Sequence, residues 1–184
     1  MKKGARSKDL EDALEWLIDA GLIYKQSLVE KPELPLSYMA DGTYFKIFMA
    51  DIGLLRRKAG IYYKTILNGD SSYIRFKGAL AENYVAVQLV SMGLPCYFWR
   101  SGNSAEVDFL TEFEGNIIPI EVKFADNTRA KSLQQFIAAY KPQVAVKMSL
   151  KNVGDNESGD CWIISLPLYQ MSRLTDYIQS AEQS

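Results

Sequence analysis

The chain has 184 residues, 48% of them hydrophobic and 23% charged, which suits one large or two small globular domains able to bury a real core. Histidine is absent and the formal net charge is −1, which excludes zincin motifs, Ser-His-Asp and Cys-His machinery, and a protein that coats nucleic acid through bulk positive charge. Chemistry in such a chain has to run on carboxylates, lysine, tyrosine or a bound metal.

The two cysteines, Cys96 and Cys161, form no CxxC pair, so they read as buried free thiols. No apolar run approaches the roughly 18 to 20 residues of a membrane helix, and MKKGARSKDL lacks the apolar stretch of a signal peptide, so the expected setting is cytoplasmic, with no membrane partner. From Ser7 to Ala20, Leu10, Leu14, Leu17 and Ile18 recur at helical spacing before Gly21, predicting an amphipathic helix. GLIYKQSLVE then reads as a strand, LPLSYMADG as a loop, and YFKIFMADIGLL as a strand running into a short helix. This order suits the second half of a winged helix, so residues 1–63 are expected to form a partial winged-helix-like segment of a longer polypeptide. The polar KTILNGDSS, Lys64 to Ser72, marks the boundary. After it, Phe76 to Met92 is apolar almost all round, as in a buried helix, and Gly93 ends it. CYFWRS, AEVDFLTE and NIIPIEVKFA read as strands, SLQQFIAAY as a helix and QVAVKMSL as a strand. GDNESG reads as a polar loop, CWIISL as a strand, and a short helix closes the chain. The order predicts an α/β protein, a mixed sheet flanked by helices, with its second domain over 73–184.

The chemistry concentrates in AEVDFLTEFEGNIIPIEVKF, two strands around Glu114-Gly115, a dipeptide that can form the centre of a two-residue hairpin. In that register Phe113 faces Asn116, Leu110 faces Pro119, Asp108 faces Glu121 and Glu106 faces Lys123. Three carboxylates and a lysine then share one side, while Ile118, Ile120, Val122 and Phe124 form a core face. Such a patch is either a solvated, salt-bridged face or a site. The directly opposed Asp108 and Glu121 repel unless a cation bridges them, and the hairpin lies among apolar strands where carboxylates need a reason. A divalent ion such as Mg²⁺ would supply one, since it takes oxygen ligands and needs no histidine. Glu82, within a turn of alanines on the apolar helix, is a fourth candidate, although a helix-surface glutamate is the plainer reading.

An acidic residue on a helix, Asp on one strand and Glu-x-Lys on the next resemble the PD-(D/E)xK nuclease superfamily. The resemblance implies a restriction-endonuclease-like fold and metal-dependent phosphodiester hydrolysis of nucleic acid, DNA in the first instance. It implies Asp108 and Glu121 as metal ligands, Lys123 as the catalytic lysine, and Glu82 as the helical acid and third ligand. Val107 stands where the motif carries proline. More of the chain, in LEWLIDAGLIYK, YFKIFMADIGLL, KGALAENYVAVQL, YFWRSGNSAEVDFL and IPIEVKFAD, resembles the C-terminal half of bacterial and archaeal AAA-type ATPases that carry a domain of unknown function. That resemblance implies an N-terminal P-loop ATPase domain as a partner in the parent chain. The present sequence has no GxxxxGK[ST].

Trp99-Arg100 offers stacking and a phosphate contact beside the patch; alternatively Trp99 packs in the core and Arg100 pairs with a local carboxylate. Arg56, Arg57 and Lys58 with Arg75 and Lys77 form either a basic approach to DNA or a solvated helix end. The rival to hydrolysis is a silent module that binds nucleic acid or protein, and a third reading is a structural dimerisation domain, a homo-oligomer.

Overall fold

A computed structural model describes residues 7–62, 74–102, 105–124 and 130–182. Helix α1 (Ser7–Asp19) stops at Gly21, whose φ of +66° suits a residue without a Cβ. Strand β1 (Ile23–Val29), a four-residue helix α2 (Leu36–Met39), strand β2 (Ala40–Met49) and helix α3 (Ile52–Lys58) complete the N-terminal part. Helix α4 (Ile74–Ser91) leads into β3 (Tyr97–Ser101), β4 (Ala105–Phe113) and β5 (Asn116–Lys123). Helix α5 (Lys131–Tyr140), strands β6 (Val144–Ser149), β7 (Gly154–Ser158) and β8 (Cys161–Pro167), a 3₁₀ segment (Leu168–Arg173) and α6 (Leu174–Glu182) follow.

Two expected loops contain regular structure. LPLSYMADG holds α2 and the start of β2, and the polar GDNESG segment contains β7. A single helical turn has no apolar period to read. Strand β7 is polar because it closes the sheet's edge on β8, where only one side of the backbone is paired. The expected boundary, Lys64 to Ser72, lies outside the described residues.

The eight strands among the described residues form one mixed sheet in the order β2-β1-β3-β4-β5-β6-β8-β7. The pairings β1 to β3, β5 to β6 and β6 to β8 are parallel, and the others are antiparallel. The β1–β2 hairpin of the N-terminal part therefore continues the sheet that carries β4 and β5. Helices cover both faces, which makes the protein an α/β sandwich. On one face Ala81, Val85, Ala86 and Leu89 of α4 pack on Phe48, Phe109, Ile118, Ile120 and Val122, with Leu174 and Ile178 of α6 beside them. On the other, Leu133, Phe136 and Ile137 of α5 pack on Trp99, Val107, Leu110, Ala145 and Ile163. The expected core face of β5 is buried accordingly, with Phe124 partly buried beside it.

The two parts are also joined by a side chain. Buried Asn83 of α4 accepts from the Met49 N–H and donates to the Met49 carbonyl, each at 2.8 Å, satisfying the last backbone groups of β2. Asn83→Ala would strand both groups, and thermal melting is expected to show a loss of about 2 kcal/mol. A change within a few tenths would mean that water replaces the amide.

Trp99 is 3% exposed, with its indole N–H directed to the Glu30 carbonyl, so it is a core residue and no stacking platform. Arg56, Arg57 and Lys58 form the last turn of α3, where cations favour the helix dipole. No described helix is long and apolar enough to cross a membrane.

Candidate functional site

The hairpin register agrees with the sequence over five residue pairs, from Phe113↔Asn116 to Phe109↔Ile120. Glu114 and Gly115 turn the chain with φ of +48° and +79°, the positive pair a two-residue turn needs. Beyond Phe109 the regular ladder ends. On the β3 side Tyr97 pairs with Leu110 but Trp99 with Val107, so Phe98 alone stands against Asp108 and Phe109. Asp108 therefore occupies a β-bulge, a device that turns a side chain out of the regular alternation. Its Oδ2 accepts the Val122 N–H at 2.8 Å, and the side chain reaches β5 where strand pairing has stopped.

Glu106 departs from expectation. In place of Lys123 its neighbours are Arg100, directly opposite on β3, and Lys46 of β2. Arg100 thus pairs with a local carboxylate. Glu121 is 2% exposed; its Oε1 forms an ion pair with Lys123, while Oε2 is buried with no hydrogen-bond partner among the described residues. Glu82 sits half-buried on α4, near enough for its charge to act on Asp108, Glu121 and Lys123.

Asp108, Glu121 and Glu82 all have raised pKa values, and burial is the largest cause of each. Burial, then the charge on Asp108, raises Glu121 to about 7 against the pull of Lys123. Burial also raises Asp108, although the Val122 N–H, Lys123 and Lys46 oppose it. Glu82 is raised first by burial and next by Asp108. For Lys123, burial favours the neutral amine, but Glu121, Asp108 and Glu82 outweigh it and raise its pKa. The lysine is held charged among carboxyls that retain their protons unusually well. A cation here would favour the ionised acids and give Glu121 Oε2 a partner. The donors are all oxygen, which fits a hard divalent ion. Among the described residues no three acidic or cysteine side chains close on one point. Asp108 and Glu121 act on each other electrostatically and Glu82 acts on both, so these oxygens could hold such an ion, with water and substrate oxygens filling the remaining positions, an arrangement Mg²⁺ accepts.

Two residues of this site escaped the sequence reading. Gln26 of β1, 1% exposed, donates through Nε2 to the Tyr97 and Asp108 carbonyls at 2.8 Å each, and so clamps the bulge. The available signal was a glutamine two residues from buried Leu28, on the inward alternation of an apolar strand. Lys46 lies directly opposite Gln26 on β2. Gln26→Leu would leave two carbonyls without their donor while removing the unpartnered buried Oε1, for an expected net loss of about 2 kcal/mol by thermal melting. Unchanged stability would show that the bulge holds itself.

Clefts along α5, lined by residues such as Gln134, Ile137 and Cys161 or Leu34, Ile117 and Tyr140, include none of the cluster's acids. Neither the curated proteins nor the solved structures contain a match to the chain. Two family models do match: a domain of unknown function, DUF8612, over residues 1–65 and another, DUF4143, over residues 77–169. The first span contains Gln26 and Lys46, and the second contains Glu82, Asp108, Glu121 and Lys123. The second covers just over half of the 184 residues, and the chain belongs to the DUF4143 family of domains of unknown function.

Proposed function

We propose that the protein is a restriction-endonuclease-like domain that hydrolyses phosphodiester bonds of nucleic acid, most readily DNA, with Mg²⁺ or Mn²⁺. It would act as the partner of a P-loop ATPase domain. The observation that carries the reading is the buried Glu121, with one oxygen unpartnered, beside a bulged Asp108 and an ion-paired Lys123. A surface salt-bridge network would leave such a carboxylate to water; a buried one is costly without a further ligand.

In this reading Asp108 and Glu121 bind the ion, which when present lowers the pKa of water and neutralises charge on the phosphoryl oxygens. The Val122 N–H fixes Asp108, and Gln26 holds the backbone that aims it. Lys123, kept protonated by Glu121, orients the attacking water and stabilises negative charge as the P–O bond breaks. Glu82 adds negative charge behind the pair and accepts hydrogen bonds from bound water.

A second reading keeps the same fold as a silent nucleic-acid-binding module. The occupied Lys123–Glu121 pair and the absence of a three-ligand cluster among the described residues favour it. Thermal melting of the full chain with Mn²⁺ and with chelator, beside incubation with labelled duplex, single-stranded, flap and junction DNAs, separates the two. Hydrolysis predicts a higher Tm with Mn²⁺ and cutting that chelator abolishes. Equal Tm values and intact DNA would remove the hydrolytic reading.

A further inference from the structure

Lys46, Arg100 and Glu106 form a second charged group two residues along β4 from Asp108. Lys46 Nζ lies 2.5 Å from Glu106 Oε1, and the Arg100 Nε and Nη2 both donate to Oε2, at 3.1 and 2.8 Å. Both cations lie over the buried Phe98 ring, at 4.9 and 5.8 Å from its centroid. Two positive charges thus share one carboxylate, with one in excess.

β2 and β4 are separated by β1 and β3, which in a flat sheet puts them about 14 Å apart. Lys46 and Glu106 close that gap with two long side chains that meet above β3. Phe98 of β3 lies beneath both cations, and Asp108 follows Glu106 along β4. The charge of Lys46 also acts on Asp108 and Glu82, so the cation pair and the carboxylate site share one field.

We propose that Lys46 and Arg100 bind a backbone phosphate of a nucleic-acid strand, and that Glu106 is the internal competitor holding the two cations when the strand is absent. This deepens the reading of nucleic acid as the ligand, and holds whether or not the strand is cut. A phosphate supplies several oxygens to the guanidinium fork and the ammonium together, where Glu106 supplies one to each. Arg100 comes from the DUF4143 match and Lys46 from the DUF8612 match, so the contact needs both segments.

The test is binding of a labelled single-stranded oligonucleotide to the full chain in chelator, followed by anisotropy across a salt series. Lys46→Gln with Arg100→Gln is expected to weaken binding on the order of tenfold and to reduce the log–log salt slope by about 0.7, as loss of one neutralised phosphate requires. Glu106→Gln is expected to tighten binding severalfold by releasing both cations. Circular dichroism checks folding; should the double variant not fold, Glu106→Gln and Arg100→Gln alone decide. No binding by the wild type, wild-type affinity in the double variant, weaker binding by Glu106→Gln, or equal competition by a polyglutamate peptide each overturns the proposal. Binding without cleavage in Mn²⁺ would leave it standing and remove only the hydrolytic reading.

Discussion

Asp108→Asn combined with Glu121→Gln is expected to lower Mn²⁺ affinity and DNA cleavage by at least about a hundredfold each, as loss of charged groups acting at a developing charge does. The amides preserve shape, and the side-chain carbonyl of the Asp108→Asn variant could still accept the Val122 N–H, so the hairpin should remain folded. Lys123→Met is the informative contrast. It removes the cation paired with Glu121 but no oxygen ligand. Cleavage is expected to fall about a hundredfold, while Mn²⁺ affinity holds or rises because the carboxylates lose a competing positive charge. Calorimetric titration beside a cleavage assay reads both quantities. Equal metal affinity in the double variant would show that Asp108 and Glu121 are not ligands, and full cleavage by Lys123→Met would remove its proposed role.

Stability without metal is expected to fall as pH rises from about 5 to 8. Glu121 is raised from 4.5 to about 7, so between those values the folded chain holds a proton that the unfolded chain has released. Each pH unit in that interval disfavours folding by up to 1.36 kcal/mol. The whole interval amounts to as much as about 3 kcal/mol, complete once the pH passes the folded value. Asp108 and Glu82 are also shifted upward, each chiefly by burial. The raised Lys123 contributes nothing in this window, because it is protonated in both states. Denaturant unfolding at pH 5 and pH 8 measures the fall directly. Glu121→Gln is expected to flatten it, and Mn²⁺ is expected to reverse it at pH 8 only, where the carboxyls are free to bind. A wild-type stability that is level from pH 5 to 8 would show that Glu121 is not the buried acid described here.

The parts of this architecture legible in the sequence are those governed by local period. Ile118, Ile120 and Val122 alternate, Glu114-Gly115 turns, and the pairing of Phe109 to Phe113 with Asn116 to Ile120 follows. The helices α4 and α5 declared themselves in the same way. Parts that depend on a distant neighbour were hidden. Nothing within β4 announces that Phe98 faces two residues, or that Glu106 will pair with β3 and β2 instead of Lys123, because the partners lie on other strands. Gln26 and Lys46 were missed for that reason, although a polar residue on the inward alternation of β1 was visible. β7 was missed because an edge strand need not be apolar.

The clamp from Gln26 to the Asp108 carbonyl spans 82 residues of sequence, whereas the β4–β5 turn is closed by neighbours. Contacts between distant segments form late, because the entropy of closing the intervening loop must be overcome first. The hairpin bearing Asp108 and Glu121 can therefore gather early, while the bulge acquires its clamp only when β1 docks against β3. A newly made chain would carry every acid of the cluster for some time before the cluster had its final shape. Pulse-labelled hydrogen exchange should find Phe109 to Phe113 protected ahead of Ser27 to Val29, which makes strand docking the maturation step of the site.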